Sequence, residues 1–232
     1  GYFEPAGLAG ANYTCSGQWS GNFMNWATMQ GIDTFRWVLT GGYRQTDTPK
    51  QFANASDSPL GKTILQRAYA SKQGAYLTTA HFQDRFLPKK LVSSYTALSG
   101  NFLNSDLWIR NGGMGVQVRF GYEADGKAPW SLNSENWIRD KQIDTPYNVN
   151  VEVCRDVGTG ASSLLESNCR KYVDSTGTKV VWKPVGLMQQ YKDKMYFGAF
   201  GYLVLPDEGP DNNAKDGGVL RDELGARQRE LL

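Results

Sequence analysis

Cysteines, one histidine beside an acid, and short runs of alternating oxygen donors are the residues whose type and spacing could do chemistry in this chain. Cys154 and Cys169 flank a segment rich in Gly and Ser. Joined as a disulfide, they would close that loop and contribute about 3 kcal/mol by restricting the unfolded chain. Two unrelated buried thiols are the other reading. A metal pair lacks partners, because a closed zinc site takes four ligands and His81 is the only histidine. A disulfide would point to an oxidising compartment. Cys15 is then left over, either paired outside these residues or buried as a bland thiol.

His81 in TTAHFQD precedes Asp84 by three residues, the spacing of a general base with an acid in reach. No G-x-S-x-G elbow accompanies it, and the carboxylates are scattered without a matched pair, so His81 reads as a structural or surface residue and no catalytic residue is expected. Asp174-Ser175-Thr176-Gly177-Thr178 follows the D-x-[ST]-x-[ST] pattern that offers a carboxylate and hydroxyls to Mg²⁺. Its flanks, Arg170-Lys171-Tyr172 and Lys179-Val180-Val181-Trp182, have the composition of a hairpin, and the segment reads as the turn. The run Asp207 to Asp216 could ligate calcium, but Lys215 occupies an alternate ligand position and Asp216 stands where the loop Gly belongs. Gly61-Lys62-Thr63 mimics the end of a phosphate-binding loop, yet Ser56 replaces its first Gly. No metal and no cofactor are expected. Asn12-Tyr-Thr and Asn54-Ala-Ser have the spacing of glycosylation sequons, which arises often by chance. Trp19, Trp26, Trp37, Trp108, Trp130, Trp137 and Trp182 are expected mostly in the core, with one or two on the surface where an indole could stack on a sugar.

The elements that must position these groups are mixed. Residues 1–20 read as an irregular lead-in. From Gly21 to Leu39, Met24, Ala27, Thr28, Ile32, Phe35, Val38 and Leu39 share one face at helical spacing, with Ser20 as N-cap and Gly41-Gly42 as the stop. Gly31 inside this helix marks close packing or a kink. Residues 43–59 read as a loop, and GKTILQRAYASK as a short second helix. Residues 75–113 give no clear pattern. Val116, Val118 and Phe120 alternate with Gln117 and Arg119 as a half-buried strand, and Val149, Val151 and Val153 alternate with Asn150 and Glu152 as another. KVVWKP reads as a short strand, LMQQYK as a helical turn or extended link, and KMYFGAFGYLVL as a central buried strand. A polar loop from Asp207 to Gly218 and a charged helix or frayed end from Val219 complete the chain.

The 232 residues carry a net charge of +2, with 40% hydrophobic, 12% aromatic and 21% charged residues and 26 glycines. A balance this close to neutral gives no field for nucleic acid or an anionic membrane. No run reaches the roughly 18 apolar residues of a membrane span. The opening Gly-Tyr-Phe-Glu-Pro has neither an initiator Met nor a signal-peptide pattern, and the sequence reads as a mature chain or an excised part of one.

The stretch CSGQWSGNFMNWATMQGIDTFRWVLTGGYRQTDT resembles the PilY/PilC-type family of type IV pilus tip-associated proteins. YNVNVEVC, SLLESNCRKY and WKPVGLMQQY extend the resemblance, as do MYFGAFGYLVL and DGGVLRD, in the family's order from about Tyr2 to Asp222. The sequence departs from the family at Gly31, where a basic residue is expected before Ile32-Asp33, and in the longer loop Asp207 to Lys215. The resemblance implies a large exported protein with a von Willebrand A-like domain in its N-terminal half and a β-propeller in its C-terminal half. The A-domain's metal motif belongs before residue 1 and the propeller after these residues. Cys154 and Cys169 match the family's paired cysteines, a structural disulfide, and Cys15 matches one whose mate lies upstream.

The expected fold class is therefore α/β or α+β, an incomplete A-like sheet with helices and long irregular insertions. The helix at 21–40 would be the first of the A-like domain and the 195–205 strand would lie in its sheet. The whole chain reads as a single region of a larger protein, with a lead-in at 1–20, a core at 21–205 and a polar loop and charged tail at 206–232. The function implied is non-enzymatic: a module at the pilus tip or outer cell surface that supports pilus assembly and adhesion. Its partners would be minor pilins or the pilus tip, a protein or glycan receptor, and the remainder of its own polypeptide, with no nucleic acid and no membrane span. A secreted carbohydrate-binding module unrelated to pili is the alternative.

Overall fold

The structure, a computed structural model, describes residues 1–47, 62–69, 85–111, 115–123, 144–155, 164–173, 176–177, 180–203 and 217–225. Helices and strands are mixed, as the α/β or α+β class expects, and the strands lie in several small antiparallel sheets rather than in one. Every named strand pair is antiparallel, with one isolated parallel bridge from Phe3 to Val151.

The principal core is a two-layer sandwich of helices on a sheet. Helix α1 (Gly21–Thr28) starts at Ser20, whose buried hydroxyl accepts the Phe23 N–H at 3.4 Å. Its buried side chains, Phe23, Met24, Ala27 and Thr28, recur at the i, i+1, i+4, i+5 spacing of one helix face. Phe23, Met24 and Ala27 pack with Val92 of α3 (Lys89–Tyr95) against Leu87, Leu107, Ile109, Val118 and Phe120. Those residues come from β3 (Arg85–Leu87), β4 (Leu107–Arg110) and β5 (Gln117–Tyr122), which with β6 (Tyr147–Asn148) form one sheet in the order β3-β4-β5-β6. Trp19 closes the edge of this core, its ring 5.0 Å from Phe120 and 5.4 Å from Tyr147.

A second sheet, ordered β1-β2-β7, joins β1 (Arg44–Asp47), β2 (Thr63–Gln66) and β7 (Asn150–Val153). Only Val149 separates β6 from β7, so one extended stretch leaves the first sheet and enters the second. A hairpin of β8 (Cys169–Val173) and β9 (Val180–Pro184) and a pair of β10 (Phe197–Leu203) and β11 (Gly217–Gly225) make the remaining sheets, with α4 (Leu187–Tyr191) between β9 and β10.

Several sequence expectations are corrected. The single helix over 21–40 is two, because Met29 turns extended (φ −65°, ψ 140°) and α2 (Gly31–Thr40) restarts with its own cap, the Asp33 carboxylate accepting the Gln30 N–H at 3.0 Å. The helix read in GKTILQRAYASK is strand β2, since Thr63, Ile64 and Leu65 pair on both sides, with β1 and β7. Arg44–Asp47 is strand β1 rather than loop. In β7 the parity is reversed: Glu152 is buried and Val151 exposed. Val219 and its neighbours belong to strand β11, paired with β10, not to a charged helix. Strands β5, β7 and β9 and the helical turn α4 fall where the sequence places them.

Candidate functional site

Ionisable side chains come together on the second sheet, and they do so as pairs of opposite charge. Asp47 at the end of β1 accepts from Arg44 Nη1 at 2.6 Å through Oδ2 and from the Lys183 ammonium of β9 through Oδ1. Thr63 completes the group, its hydroxyl 3.3 Å from Asp47 Oδ1 and 2.9 Å from Lys183 Nζ. Arg44 also donates to the Pro184 carbonyl at 2.7 Å. Burial alone would raise the Asp47 pKa, but the two cations hold it below the usual carboxylate range. The cost falls on Lys183, whose pKa burial pushes down against the pull of Asp47. This network joins the β8–β9 hairpin to the β1–β2–β7 sheet.

A second group surrounds the buried Glu152 of β7. Its Oε2 lies 3.9 Å from Lys62 Nζ and 3.8 Å from Arg155 Nη1. Arg155 also reaches Glu4 at 3.2 Å, and the Lys62 ammonium donates to the Tyr2 hydroxyl and sits 4.1 Å from that ring's centre. The Tyr2 hydrogen bond raises the Lys62 pKa, while hydrogen bonds from Tyr2 and Arg155 lower that of Glu4. Backbone bonds from Phe3 N–H to Asn150 O and from Glu152 N–H to Phe3 O, 2.8 and 2.9 Å long, add the first residues to the free edge of β7.

Between the sheets sits Arg67, almost wholly buried. Its guanidinium donates to the carbonyls of Gly115 at 3.0 Å, Gln117 at 2.6 Å and Thr28 at 3.3 Å, and to the Asn111 side chain. Burial pushes its pKa down to about 10, which leaves it charged at neutral pH. Next to it, Asp33 of α2 accepts the Ala68 N–H at 2.5 Å and the Gln30 amide donates to the Ala68 carbonyl at 2.9 Å. In each of these groups a cation lies beside a carboxylate or carbonyls of another element and ties the two together, while Glu152 Oε2 and Arg67 Nε are buried without a hydrogen-bond partner among the described residues.

Cys154 and Cys169 are bonded to each other, with Cα atoms 5.6 Å apart, and Cys15 is free. Glu166 stands beside the bridge and accepts the Cys154 N–H at 2.8 Å. Cys154, Glu166 and Cys169 bring potential ligand atoms within 4.8 Å of one another, but sulfurs joined to each other are not thiolates and offer a cation no charge. Gly61 and the start of the mimicked phosphate loop fall outside the described residues; Lys62 and Thr63 serve the charge networks above. His81, Asp84, the Asn54 sequon, Trp130, Trp137, the 207–216 loop and Asp174, Ser175 and Thr178 of the oxygen-donor pattern also fall outside them. The strands flanking that pattern pair antiparallel with Val173 opposite Val180. Of the other tryptophans, Trp19 is packed on the core and Trp26 and Trp37 are exposed.

Sequence reasoning missed Arg67, Asp47, Lys183 and Glu152. Lys183 could have been found, because it shares the parity of buried Val181 in VVWKP; a charge on the inward face of a strand calls for a partner. Among the described residues no helix is long and apolar enough to cross a membrane.

Comparison with known proteins finds sequence similarity to proteins named as pilus factors. Residues 1–84 match the family described as "PilY1 homolog, small alpha/beta domain". The chain is 32% identical over 235 residues to a protein of Xylella fastidiosa strain Temecula1 named "Type IV pilus biogenesis factor PilY1 homolog", covering 94% of this chain and 16% of that protein. A second protein of the same name and strain is 28% identical over 241 residues, covering 94% of this chain and 14% of its own length. The chain is thus similar to PilY1-type proteins along nearly all of its length, and spans a small part of theirs. No solved structure matches.

Proposed function

We propose that this chain, PilY1-like in sequence, is a non-enzymatic module of a type IV pilus-associated surface protein and supports pilus assembly and adhesion. The observation that carries the reading is the similarity to pilus biogenesis factors over 94% of the chain. The chemistry of the described side chains agrees with it. Charged groups are matched into ties between strands, and the Cys154–Cys169 bridge suits an oxidising, extracellular setting. In this reading residues 1–232 form one region of a longer polypeptide, and the bridge is structural, holding β7 to the β8–β9 hairpin. Location is the pilus tip or outer cell surface. Minor pilins or the tip, a protein or glycan receptor, and the rest of the polypeptide are the partners.

The test is an in-frame removal of the codons for residues 1–232 from the host gene, followed by electron-microscopic counting of surface pili and an adhesion assay. Fewer pili or weaker adhesion, restored by the wild-type gene, is the expected result. Unchanged piliation together with unchanged adhesion would reject the proposal.

A further inference from the structure

Helices α2 and α4 turn their apolar side chains to solvent. In α2, Ile32, Phe35 and Val38 lie on one side of the helix and are 44%, 59% and 40% exposed. The opposite side carries the tie of Asp33 to Ala68, and no α2 side chain is buried. In α4 the pattern repeats: Gln189 faces inward, donating to the Thr40 carbonyl at 3.1 Å and accepting the Gly186 N–H at 2.9 Å, while Leu187 and Tyr191 are 41% and 42% exposed. The two helices are held tightly where they meet, for a Cβ on Gly186 would lie 2.3 Å from the Leu39 carbonyl carbon. A surface helix ordinarily buries its apolar stripe and hydrates its polar one; here the stripe that the sequence assigns to a core faces out. None of the exposed residues of α2, which are Gly31, Ile32, Thr34, Phe35, Trp37 and Val38, is charged, and depletion of charge marks the centre of a protein interface rather than a solvated face.

We infer that this apolar face seats another segment of the same polypeptide, lying outside residues 1–232. The inference rests on the reading of the chain as part of a longer PilY1-type protein. The curated relatives extend well beyond the matched stretch, which covers only 16% and 14% of them, so chain able to cover the face is plentiful in proteins of this kind. Size decides against a separate protein or a second copy. A stable complex of independent partners engages roughly 20–30 residues a side, whereas this face offers a few side chains on two short helices. A tethered segment needs far less contact, because its effective concentration is on the order of millimolar for a short flexible connection.

The test reads accessibility at position 35. Phe35→Cys and, as a control, Lys90→Cys on the exposed start of α3 are placed in a Cys15→Ser background. Each is made both in the 232-residue chain and in the complete product of the reading frame that encodes it. Maleimide labelling is timed without reductant, and the mass of the 232-residue chain is measured by sedimentation. The expected result is a monomeric 232-residue chain that labels rapidly at position 35, at least tenfold slower labelling there in the complete product, and equal labelling at position 90 in both. Equal rates at position 35 would overturn the inference. So would slow labelling in the 232-residue chain, a dimeric mass assigning the cover to a second copy and a monomeric mass to residues of the chain itself. A reading frame that encodes no further residues would also overturn it. Piliation after removal of these codons is a separate readout, so either proposal can fail without the other.

Discussion

Asp47 shows how single residues hold this molecule together. Its carboxylate serves two cations and a hydroxyl drawn from β1, β2 and β9. Because the cations hold its pKa below the usual value despite burial, the folded chain gains stability above the unfolded aspartate's range, near about pH 4, and loses it as pH falls through the lower folded value. Replacing Asp47 by Asn removes the counter-charge of the buried Lys183 ammonium. Urea unfolding at pH 7 should show the Asp47→Asn variant destabilised by about 3 kcal/mol. Its stability should also fall less steeply than that of the wild type between pH 4 and pH 2. Parallel pH profiles would mean that the ion network contributes nothing. Lys62 and Glu152 form the companion case. The alternation of NVNVEVC announces a strand, but it assigns the valines inward, whereas Phe3 on the strand's free edge and the cations around Glu152 turn the carboxylate in. Alternation identifies a strand more securely than it identifies the strand's inner face when a polar network competes for that face.

At the scale of elements, the close approach of α2 and α4 gives the sharpest expectation. Gly186 leaves no room for a methyl group, and Gly41, at φ +82°, would place a Cβ 2.7 Å from the Pro184 carbonyl carbon. Backbone atoms cannot retreat as a flexible side chain would. Gly186→Ala should lower stability by about 1–3 kcal/mol through overpacking, read as a fall in Tm, whereas Gly177→Ala meets no atom and should cost only its backbone strain, about 1 kcal/mol at φ +73°. A Gly186→Ala variant as stable as the wild type would show that the two helices slide apart freely. The disulfide gives a second expectation: Cys154 and Cys169 are 15 residues apart, so reducing the bridge should cost about 3 kcal/mol by chain entropy, visible as a lower urea midpoint in dithiothreitol that a Cys154→Ser/Cys169→Ser variant does not show. Equal midpoints of the wild type with and without reductant would argue that the loop is held by its other contacts. These elements were unequally legible. Ser20 and the glycine pair mark the outer limits of 21–40, and both limits hold, but the break at Met29 depends on Asp33 reaching back to Gln30 and across to Ala68, a contact 35 residues distant. Helical spacing in GKTILQRAYASK is similarly overridden by strands far away in sequence, which supply ladder bonds on both edges of Thr63–Gln66.

The whole molecule depends on how its two larger sheets are joined. One connection is covalent, through the stretch that forms β6 and then β7. Another is Phe3, bonded to β7 and packed on Trp19 and Tyr147 of the first core, and a further one is Arg67, which leaves β2 in the second sheet and donates to the end of α1, to Asn111 after β4 and to the approach and start of β5. The arginine is not visible as a pattern: alone in TILQRAYA it has the look of a solvated helix residue, and only the fold reveals that several carbonyls point at it. A guanidinium presents enough donors to satisfy such a set, while a lysine ammonium of similar charge cannot span it. If Arg67 couples the sheets, the wild-type chain should unfold in one transition followed alike by far-ultraviolet circular dichroism and by the fluorescence of Trp19 in the first core. Arg67→Met keeps the stem but leaves the carbonyls of Thr28, Gly115 and Gln117 without this donor, each costing about 1–3 kcal/mol if no water replaces it. That loss should separate the two probes, with the β1–β2–β7 sheet melting first because its interior holds charges where the other sheet holds Leu107, Ile109, Val118 and Phe120. Coincident transitions in the Arg67→Met variant would show that the β6–β7 strand and the Phe3 contacts suffice to couple the sheets, and Arg67 would then be a local tie.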